Sequence, residues 1–169
     1  MPALNRAGGS TQARIYSLAV YSDIMQVRPA HSEDRDALLD IWLRCVRATH
    51  RFLTEADIQS LLIGAPDRWL VGLEVWVLTQ DDHPIGFMGM SGHKIEALFL
   101  APEQLRRGGG RLLVEHAASR HPTLLVDVNE QNPAARCFYE ALGFVIEGRS
   151  EVDGQGRPFP LLHMRRSVG

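Results

Sequence analysis

The spacing of apolar residues divides this chain into helical and extended segments. An early segment, Glu33–Thr49, carries apolar residues at the i, i+3, i+4 spacing of one helix face: Leu38, Ile41, Trp42, Cys45 and Val46. This spacing predicts an amphipathic helix, with Ser32 as its N-cap. Thr54 opens a second, shorter helix, because Asp57 three residues later completes an approximate capping box.

Extended apolar runs dominate the rest of the chain, interrupted by two further helical patterns. Strands are predicted at residues 26–28, 70–79, 85–90, 95–100, 124–128, 144–152 and 159–165, and helices at 109–120 and 133–142. The turn Asp81-Asp82-His83-Pro84 joins the second and third strands as a hairpin, and Gly143 ends the last helix as a C-cap. The resulting order, β-α-α-β-β-β-α-β-α-β-β, predicts one α/β domain with a mixed sheet.

The first 23 residues lack this regular patterning. They contain no acidic residue before Asp23, and they have no uninterrupted apolar core of the kind found in secretory signals. We therefore expect a disordered N-terminal extension at 1–23 and a single folded domain at 24–169.

Composition narrows the classes of partner. A net charge of −2 does not favour a protein that coats nucleic acid or an anionic membrane. No apolar run approaches the ~20 residues that span a bilayer. Neither the two cysteines, Cys45 and Cys137, nor the histidines have the spacing of a disulfide framework or a metal site. We expect a cytoplasmic protein without metal, nucleic acid or membrane partners, either a monomer or a homodimer. The basic residues are seventeen arginines and one lysine, Lys94.

The strongest candidate for ligand binding is the run Leu105-Arg106-Arg107-Gly108-Gly109-Gly110-Arg111. The three glycines let the backbone turn sharply and approach a ligand closely. The helix predicted to follow them would direct unpaired N–H groups and the positive end of its dipole at this turn. Because the three arginines add positive charge, the run predicts a phosphate-binding loop between a strand and a helix.

A second motif follows the next predicted strand. From Asn132 to Phe144 the sequence has the pattern N-x-x-A-x-x-F-Y-E-x-L-G-F. Together with the glycine loop, this pattern resembles the GNAT acetyltransferase superfamily, and ranges 36–53 and 85–162 are similar to its small bacterial YjaB-type members. The resemblance covers nearly all of the chain after residue 24.

The resemblance implies a fold, an activity and a cosubstrate. The fold would be a GNAT-type mixed central sheet of six to seven strands flanked by about four helices. The activity would be transfer of an acetyl group from acetyl-CoA to a primary amine by direct attack. The amine would belong to a protein lysine, a protein N-terminus or a small molecule. The implied cofactor-binding residues are Leu98, Leu100, Leu105, Arg106, Arg107, Gly108, Gly109, Gly110, Arg111, Asn132 and Phe138.

The resemblance also implies catalytic positions. Tyr139 matches the family tyrosine that protonates the departing thiolate, a role that suits a phenol with a pKa near ~10. Glu96 stands where several relatives carry a glutamate, and it is the expected general base. His50 and His93 are rivals for that role, because histidine accepts a proton near neutral pH with little tuning. Trp42, His50 and Phe52 lie on the segments that usually wall the acceptor pocket.

One departure from the family pattern leaves alternatives open. In the preferred alignment with R/Q-x-x-G-x-G/A, Leu105 stands where Arg or Gln is usual, and Gly108 and Gly110 are the two glycines. An alignment that starts at Gln104 would place Arg107 at the first glycine. A non-catalytic acyl-CoA-binding or regulatory module is therefore the alternative function.

Overall fold

The computed structural model describes residues 24–63 and 71–167, and the order of its elements confirms the one expected from the sequence. The strands are β1 (Met25–Pro29), β2 (Glu74–Gln80), β3 (His83–Ser91), β4 (Lys94–Leu100), β5 (Thr123–Asn129), β6 (Val145–Ser150) and β7 (Leu161–Ser167). The helices are α1 (Arg35–Thr49), α2 (Glu55–Leu62), α3 (Gly109–Ala118) and α4 (Pro133–Ala141), with 3₁₀ turns at Ser32–Asp34 and Pro102–Gln104. The extension expected at 1–23 and the expected start of β2 at Leu70 lie outside the described residues.

All seven strands form one mixed sheet in the order β1-β2-β3-β4-β5-β7-β6. Every neighbouring pair is antiparallel except β4 and β5, which run parallel. The parallel pairing is also the shortest, because it joins only Lys94 to Leu125 and Ile95 to Val126. The sheet therefore consists of two halves that are hydrogen-bonded to each other only where β4 and β5 begin.

Apolar cores lie on both faces of this sheet. On one face, α3 and α4 pack on both halves, with Leu113 and Val114 completely buried. On the other face, α1 and α2 cover only β2, β3 and β4, and Ile41 and Ile58 pack there against residues such as Phe87. Within the described ranges, this second core takes no residue from β5, β6 or β7. That part of the sheet carries polar side chains instead.

The start of α1 differs from the expectation. The prediction of Ser32 as N-cap is wrong, because Ser32 begins the 3₁₀ turn that precedes the helix. The buried carboxylate of Asp34 organises this turn instead. It accepts a hydrogen bond from the backbone N–H of His31 (2.8 Å) and two from the guanidinium of Arg28 (2.7 and 2.8 Å). The hydrogen bonds from Arg28, followed by that from His31, lower the pKa of Asp34 although burial opposes them.

Local signals at three other element ends are confirmed. Thr54 and Asp57 form a reciprocal capping box at the start of α2, with N···O distances of 3.1 and 2.8 Å. Gly143 follows α4 with a φ of 89°. The β2–β3 hairpin also forms, but its turn comprises only Asp81 and Asp82, whose φ values of 49° and 62° match the left-handed backbone of a type I′ turn.

Candidate active site

The main cavity opens where β4 and β5 cease to pair, and it encloses about 850 Å³. Its walls come from both strands beyond the pairing, the glycine loop, the first turn of α4 and the last turn of α1. Both α3 and α4 begin at this cavity, so two helix N-termini direct their positive dipole ends towards it. This arrangement favours an elongated ligand that carries negative charge.

The three glycines of the loop meet three different requirements. Gly108 has a φ of 88° at the N-cap of α3, with open space around it. A Cβ on Gly109 would lie 2.6 Å from Leu78 Cδ2, in the core. A Cβ on Gly110 would lie 3.0 Å from Phe138 Cζ, at the cavity wall. A side chain at Gly108 is therefore disfavoured by the backbone conformation. At Gly109 it is disfavoured by packing in the core, and at Gly110 by contact with the cavity wall.

The other loop residues divide by their position. Leu105, Arg106 and Arg111 line the cavity together with Gly108 and Gly110. Arg107 and Gly109 lie outside the lining. Arg106 has a left-handed backbone, with a φ of 63°, which is uncommon for a residue with a side chain.

β4 contains a bulge beside the cavity. Gly89 of β3 pairs with Ala97, whereas the next residue, Met90, pairs with Ile95, so Glu96 is the extra residue between them. A bulge shifts the alternation of the strand and leaves its extra residue unpaired. Glu96 lines the cavity, as do Leu98 and Leu100 and the rest of β4 from Ile95 onwards. Beyond Ile95 the edge of β4 has no pairing with β5 and can accept an extended ligand.

Tyr139 and Asn132 lie on the α4 side of the same cavity. Tyr139 is 7% exposed, and its ring packs against Phe138 and Phe144 with centroid distances of 5.0 and 5.2 Å. Burial raises the pKa of Tyr139 well above its usual 10, so the phenol is protonated at neutral pH. The Oδ1 atom of Asn132 accepts a hydrogen bond from the N–H of Ala135 (3.1 Å) and caps α4.

A chain of polar contacts runs from β4 to β6 on the sheet face opposite α3 and α4, where none of the described helices covers β5 or β7. Lys94 Nζ lies 2.8 Å from Asp127 Oδ2 and 3.4 Å from Glu96 Oε1. Asp127 Oδ1 lies 2.6 Å from His163 Nδ1, and His163 Nε2 lies 2.6 Å from Ser150 Oγ. Burial alone would raise the pKa of Asp127, but the hydrogen bonds from Lys94 and His163 outweigh it and lower that pKa. We call these five residues the polar network, and two of them, Glu96 and Asp127, line the cavity.

The sequence reasoning did not find this network. Of these five residues it named only Glu96 as a candidate site residue, and it predicted residues 124–128 as one of the extended apolar runs. The signal was present, because Asp127 is a charged residue in the middle of that run. Its partner His163 is distant in sequence, and only the pairing of β5 with β7 brings them together.

The remaining candidates lie at different distances from the cavity. His50 lines it, and burial lowers the pKa of His50, while its Nδ1 contacts Thr49 Oγ1 at 2.8 Å. Phe52 packs beside His50, with ring centroids 5.4 Å apart, but it does not line the cavity. Trp42 belongs to α1 and is buried in the core that this helix forms with the sheet. His93 precedes β4 and is not part of the cavity wall.

Neither a metal site nor a membrane-spanning helix is found in the described ranges. Residues 24–63 and 71–167 contain no group of three or more His, Cys, Asp or Glu side chains that could hold a metal ion. In the same part of the chain, no helix is long and apolar enough to cross a bilayer.

Comparison with known proteins identifies the family. Residues 72–146 match the model of the acetyltransferase (GNAT) domain. The peptidyl-lysine N-acetyltransferase YjaB of Escherichia coli is 42% identical over 142 residues, which is 83% of this chain and 96% of YjaB. The peptidyl-lysine N-acetyltransferase YiaC of the same organism is 32% identical over 71% of this chain and 83% of YiaC.

Solved structures of N-acetyltransferases have a similar fold. The solution structure of apo YjaB from Escherichia coli matches with a TM-score of 0.77 at 41% identity, covering 86% of this chain and 99% of YjaB. The PaiA N-acetyltransferase of Thermoplasma acidophilum, solved in complex with coenzyme A, matches with a TM-score of 0.70 over 85% of this chain and 99% of PaiA. At 19% identity, PaiA shows the shared fold alone. Sequence and fold together place the chain among the N-acetyltransferases, which are transferases. It belongs to the GNAT acetyltransferase family.

Proposed function

We propose that this protein transfers an acetyl group from acetyl-CoA to a primary amine, and that the amine is the side chain of a peptidyl lysine. The observation that carries the proposal is the cavity between β4 and β5, with its glycine loop and two helix N-termini at one side and the polar network at the other. In such a cavity an anionic acetyl donor can enter from the side of the glycine loop, and a cationic amine acceptor from the side of the polar network, so that the two meet between β4 and β5.

The residues present fit acetyl-CoA. Phosphate groups suit the unpaired amides of the glycine loop, where Gly110 leaves room that a Cβ would fill, and Arg106 and Arg111 supply positive charge. The open edge of β4 at Leu98 and Leu100 suits an extended arm with amide groups. Acetyl-CoA itself would supply the acetyl group as an activated thioester.

Tyr139 is the proposed general acid. Its phenol is protonated at neutral pH even at the usual pKa of ~10, burial raises that pKa further, and Tyr139 lies on the cavity wall in the second turn of α4. A proton donor at this position can protonate a thiolate as it leaves. General acid catalysis of this kind contributes about 10²–10⁴-fold to a rate.

Glu96 is the proposed general base. Glu96 lies at the β4 bulge and lines the cavity, so its carboxylate can accept the proton that an ammonium must lose before its nitrogen attacks. His50 is the alternative, since it also lines the cavity and burial favours its neutral form. The position of His93, outside the cavity wall, makes it the weaker rival.

The peptidyl-lysine acceptor rests on two observations. YjaB and YiaC, at 42% and 32% identity, are both named peptidyl-lysine N-acetyltransferases. In this chain, Glu96 and Asp127 already hold one lysine ammonium at the cavity, that of Lys94. The same chemistry would recognise the ammonium of an incoming lysine.

The test measures acetyl transfer to lysine peptides together with acetyl-CoA binding by calorimetry. We expect Tyr139→Phe to lower kcat by about 10²-fold or more, with acetyl-CoA affinity within about twofold, because the buried ring remains. Glu96→Gln should lower kcat similarly. Glu147→Gln is its matched control, since Glu147 pairs with Arg165 at 3.6 Å and does not line the cavity.

Two results would contradict the proposal. If the wild-type protein binds acetyl-CoA but acetylates no amine in a broad peptide and small-amine screen, the non-catalytic acyl-CoA-binding module is correct. If Tyr139→Phe retains full kcat, Tyr139 is not the general acid.

A further inference from the structure

The single lysine of the chain occupies a notable position. All other basic side chains of the Lys/Arg type are arginines, seventeen of them. Lys94 lies at the start of β4, directly where β4 and β5 still pair and just before the cavity opens. Its side chain is 33% exposed. A composition that excludes lysine almost everywhere leaves this one beside the reaction site.

We propose that Lys94 is an internal acceptor, and that the protein acetylates its own Lys94 Nζ. The inference rests on the proposed function, because it needs the same donor and the same cavity. Lys94 Nζ contacts two carboxylates that both line the cavity, Asp127 at 2.8 Å and Glu96 at 3.4 Å. The ammonium is therefore already placed next to the proposed general base.

The chemical step balances without any further reagent. The Lys94 ammonium gives one proton to Glu96, which passes it to solvent. The nitrogen lone pair then attacks the thioester carbonyl carbon, so that an N–C bond forms and the C–S bond breaks. The departing thiolate takes a proton from Tyr139, and the second proton on the attacking nitrogen is lost to solvent, which reprotonates the phenolate. The products are Nε-acetyl-Lys94 and coenzyme A.

The charges around Lys94 make this reaction slow at neutral pH. Partial burial alone would lower the pKa of Lys94, but the hydrogen bond and charge of Asp127, together with Glu96, outweigh burial and raise it above its usual 10.5. His163 reaches the same carboxylate from β7, through Asp127 Oδ1. The reactive neutral amine therefore becomes more abundant as pH rises. Acetylation removes the ammonium from between the two carboxylates, so the cavity gains one unit of negative charge.

Mass spectrometry of the full-length protein incubated with isotopically labelled acetyl-CoA tests the inference, with a single-lysine peptide present in the same tube. We expect label on Lys94, at a rate at least tenfold above that of Lys94 in the urea-unfolded chain. The first-order rate constant, measured at saturating acetyl-CoA as the fraction of Lys94 labelled per unit time, should rise with pH and stay independent of protein concentration, as an intramolecular step requires. In the control Lys94→Arg, which keeps a cation at this position, only the N-terminal amine remains available for labelling.

The outcomes separate this inference from the proposed function. If the peptide is acetylated and Lys94 is not, the inference is wrong and the proposed function stands. If Lys94 is labelled no faster than in the unfolded chain, its acetylation is merely chemical, and the inference is again wrong. A rate constant that increases in proportion to protein concentration would mean transfer between copies and would also overturn it. If neither the peptide nor Lys94 is acetylated, both proposals fail.

Discussion

Replacing each glycine of the loop by alanine should separate folding from ligand binding. Gly109→Ala places a Cβ 2.6 Å from Leu78 Cδ2, and Leu78 is completely buried, so its side chain has to shift within the core. Overpacking of this kind costs about 1–3 kcal/mol, and the better helix propensity of alanine returns up to about 1 kcal/mol. We expect a net loss of about 1–2 kcal/mol in the free energy of unfolding, or about 2–4 °C in Tm for each kcal/mol. Acetyl-CoA affinity should change little, because Gly109 does not line the cavity.

The neighbouring glycines should respond differently. At Gly110 the new Cβ meets the half-buried ring of Phe138 at 3.0 Å, which a small shift of the ring relieves, so stability should stay within about 0.5 kcal/mol. The methyl group enters the cavity wall, however, and should weaken acetyl-CoA binding by about tenfold, ~1.4 kcal/mol. Gly108→Ala meets no atom within 4 Å, but its φ of 88° costs about 1–2 kcal/mol, partly offset by lower entropy of the unfolded chain.

Urea denaturation and calorimetry with acetyl-CoA measure the two quantities on the same protein samples. We expect Gly109→Ala to be the least stable of the three variants. We expect Gly110→Ala to bind acetyl-CoA more weakly than Gly109→Ala does. The reasoning is refuted if Gly109→Ala unfolds at the wild-type urea concentration. It is also refuted if Gly109→Ala loses more acetyl-CoA affinity than Gly110→Ala.

Two further predictions concern charge. Leu105→Arg should tighten acetyl-CoA binding by about fivefold, ~1 kcal/mol, at low salt, because Leu105 is 39% exposed and lines the cavity. The matched control Leu112→Arg, 44% exposed on α3 outside the lining, should not; equal or weaker binding by Leu105→Arg would reject the preferred alignment of the loop. Asp34→Asn should make the free energy of unfolding depend less steeply on pH in the acidic range. The folded-state pKa of Asp34 lies below its usual 3.8, so its stabilisation is full above that value and is lost as pH falls through the folded pKa. Urea unfolding between about pH 5 and pH 2 should show the gap between Asp34→Asn and wild type closing, and a constant gap would exclude this cause.

Elements whose signals are local were predictable from the sequence. The apolar face of α1, the capping box of Thr54 and Asp57 and the stop at Gly143 each depend on residues a few positions apart. The order of the elements followed from the same periodicities. Asp34 shows the limit of this approach, because its role as an organising carboxylate depends on Arg28 in a different element.

Features of the site that depend on distant pairing were not predictable. The bulge at Glu96 arises from the register of β4 on β3. The contact of Asp127 with His163 requires β7 to lie beside β5, which no local pattern encodes. The family pattern separates Gly108 and Gly110 from Gly109, but the packing of the second glycine against Leu78 and of the third against Phe138 is visible only in the structure.

The position of β7 in the sheet has a consequence for protein synthesis. β6 leaves the ribosome before β7, yet it joins the sheet only through β7, which pairs with β5 on its other side. The first five strands can therefore associate while the chain is still growing, whereas β6 has to wait for Leu161–Ser167. His163 arrives with β7, so the polar network beside the cavity is completed only after β7 has been synthesised.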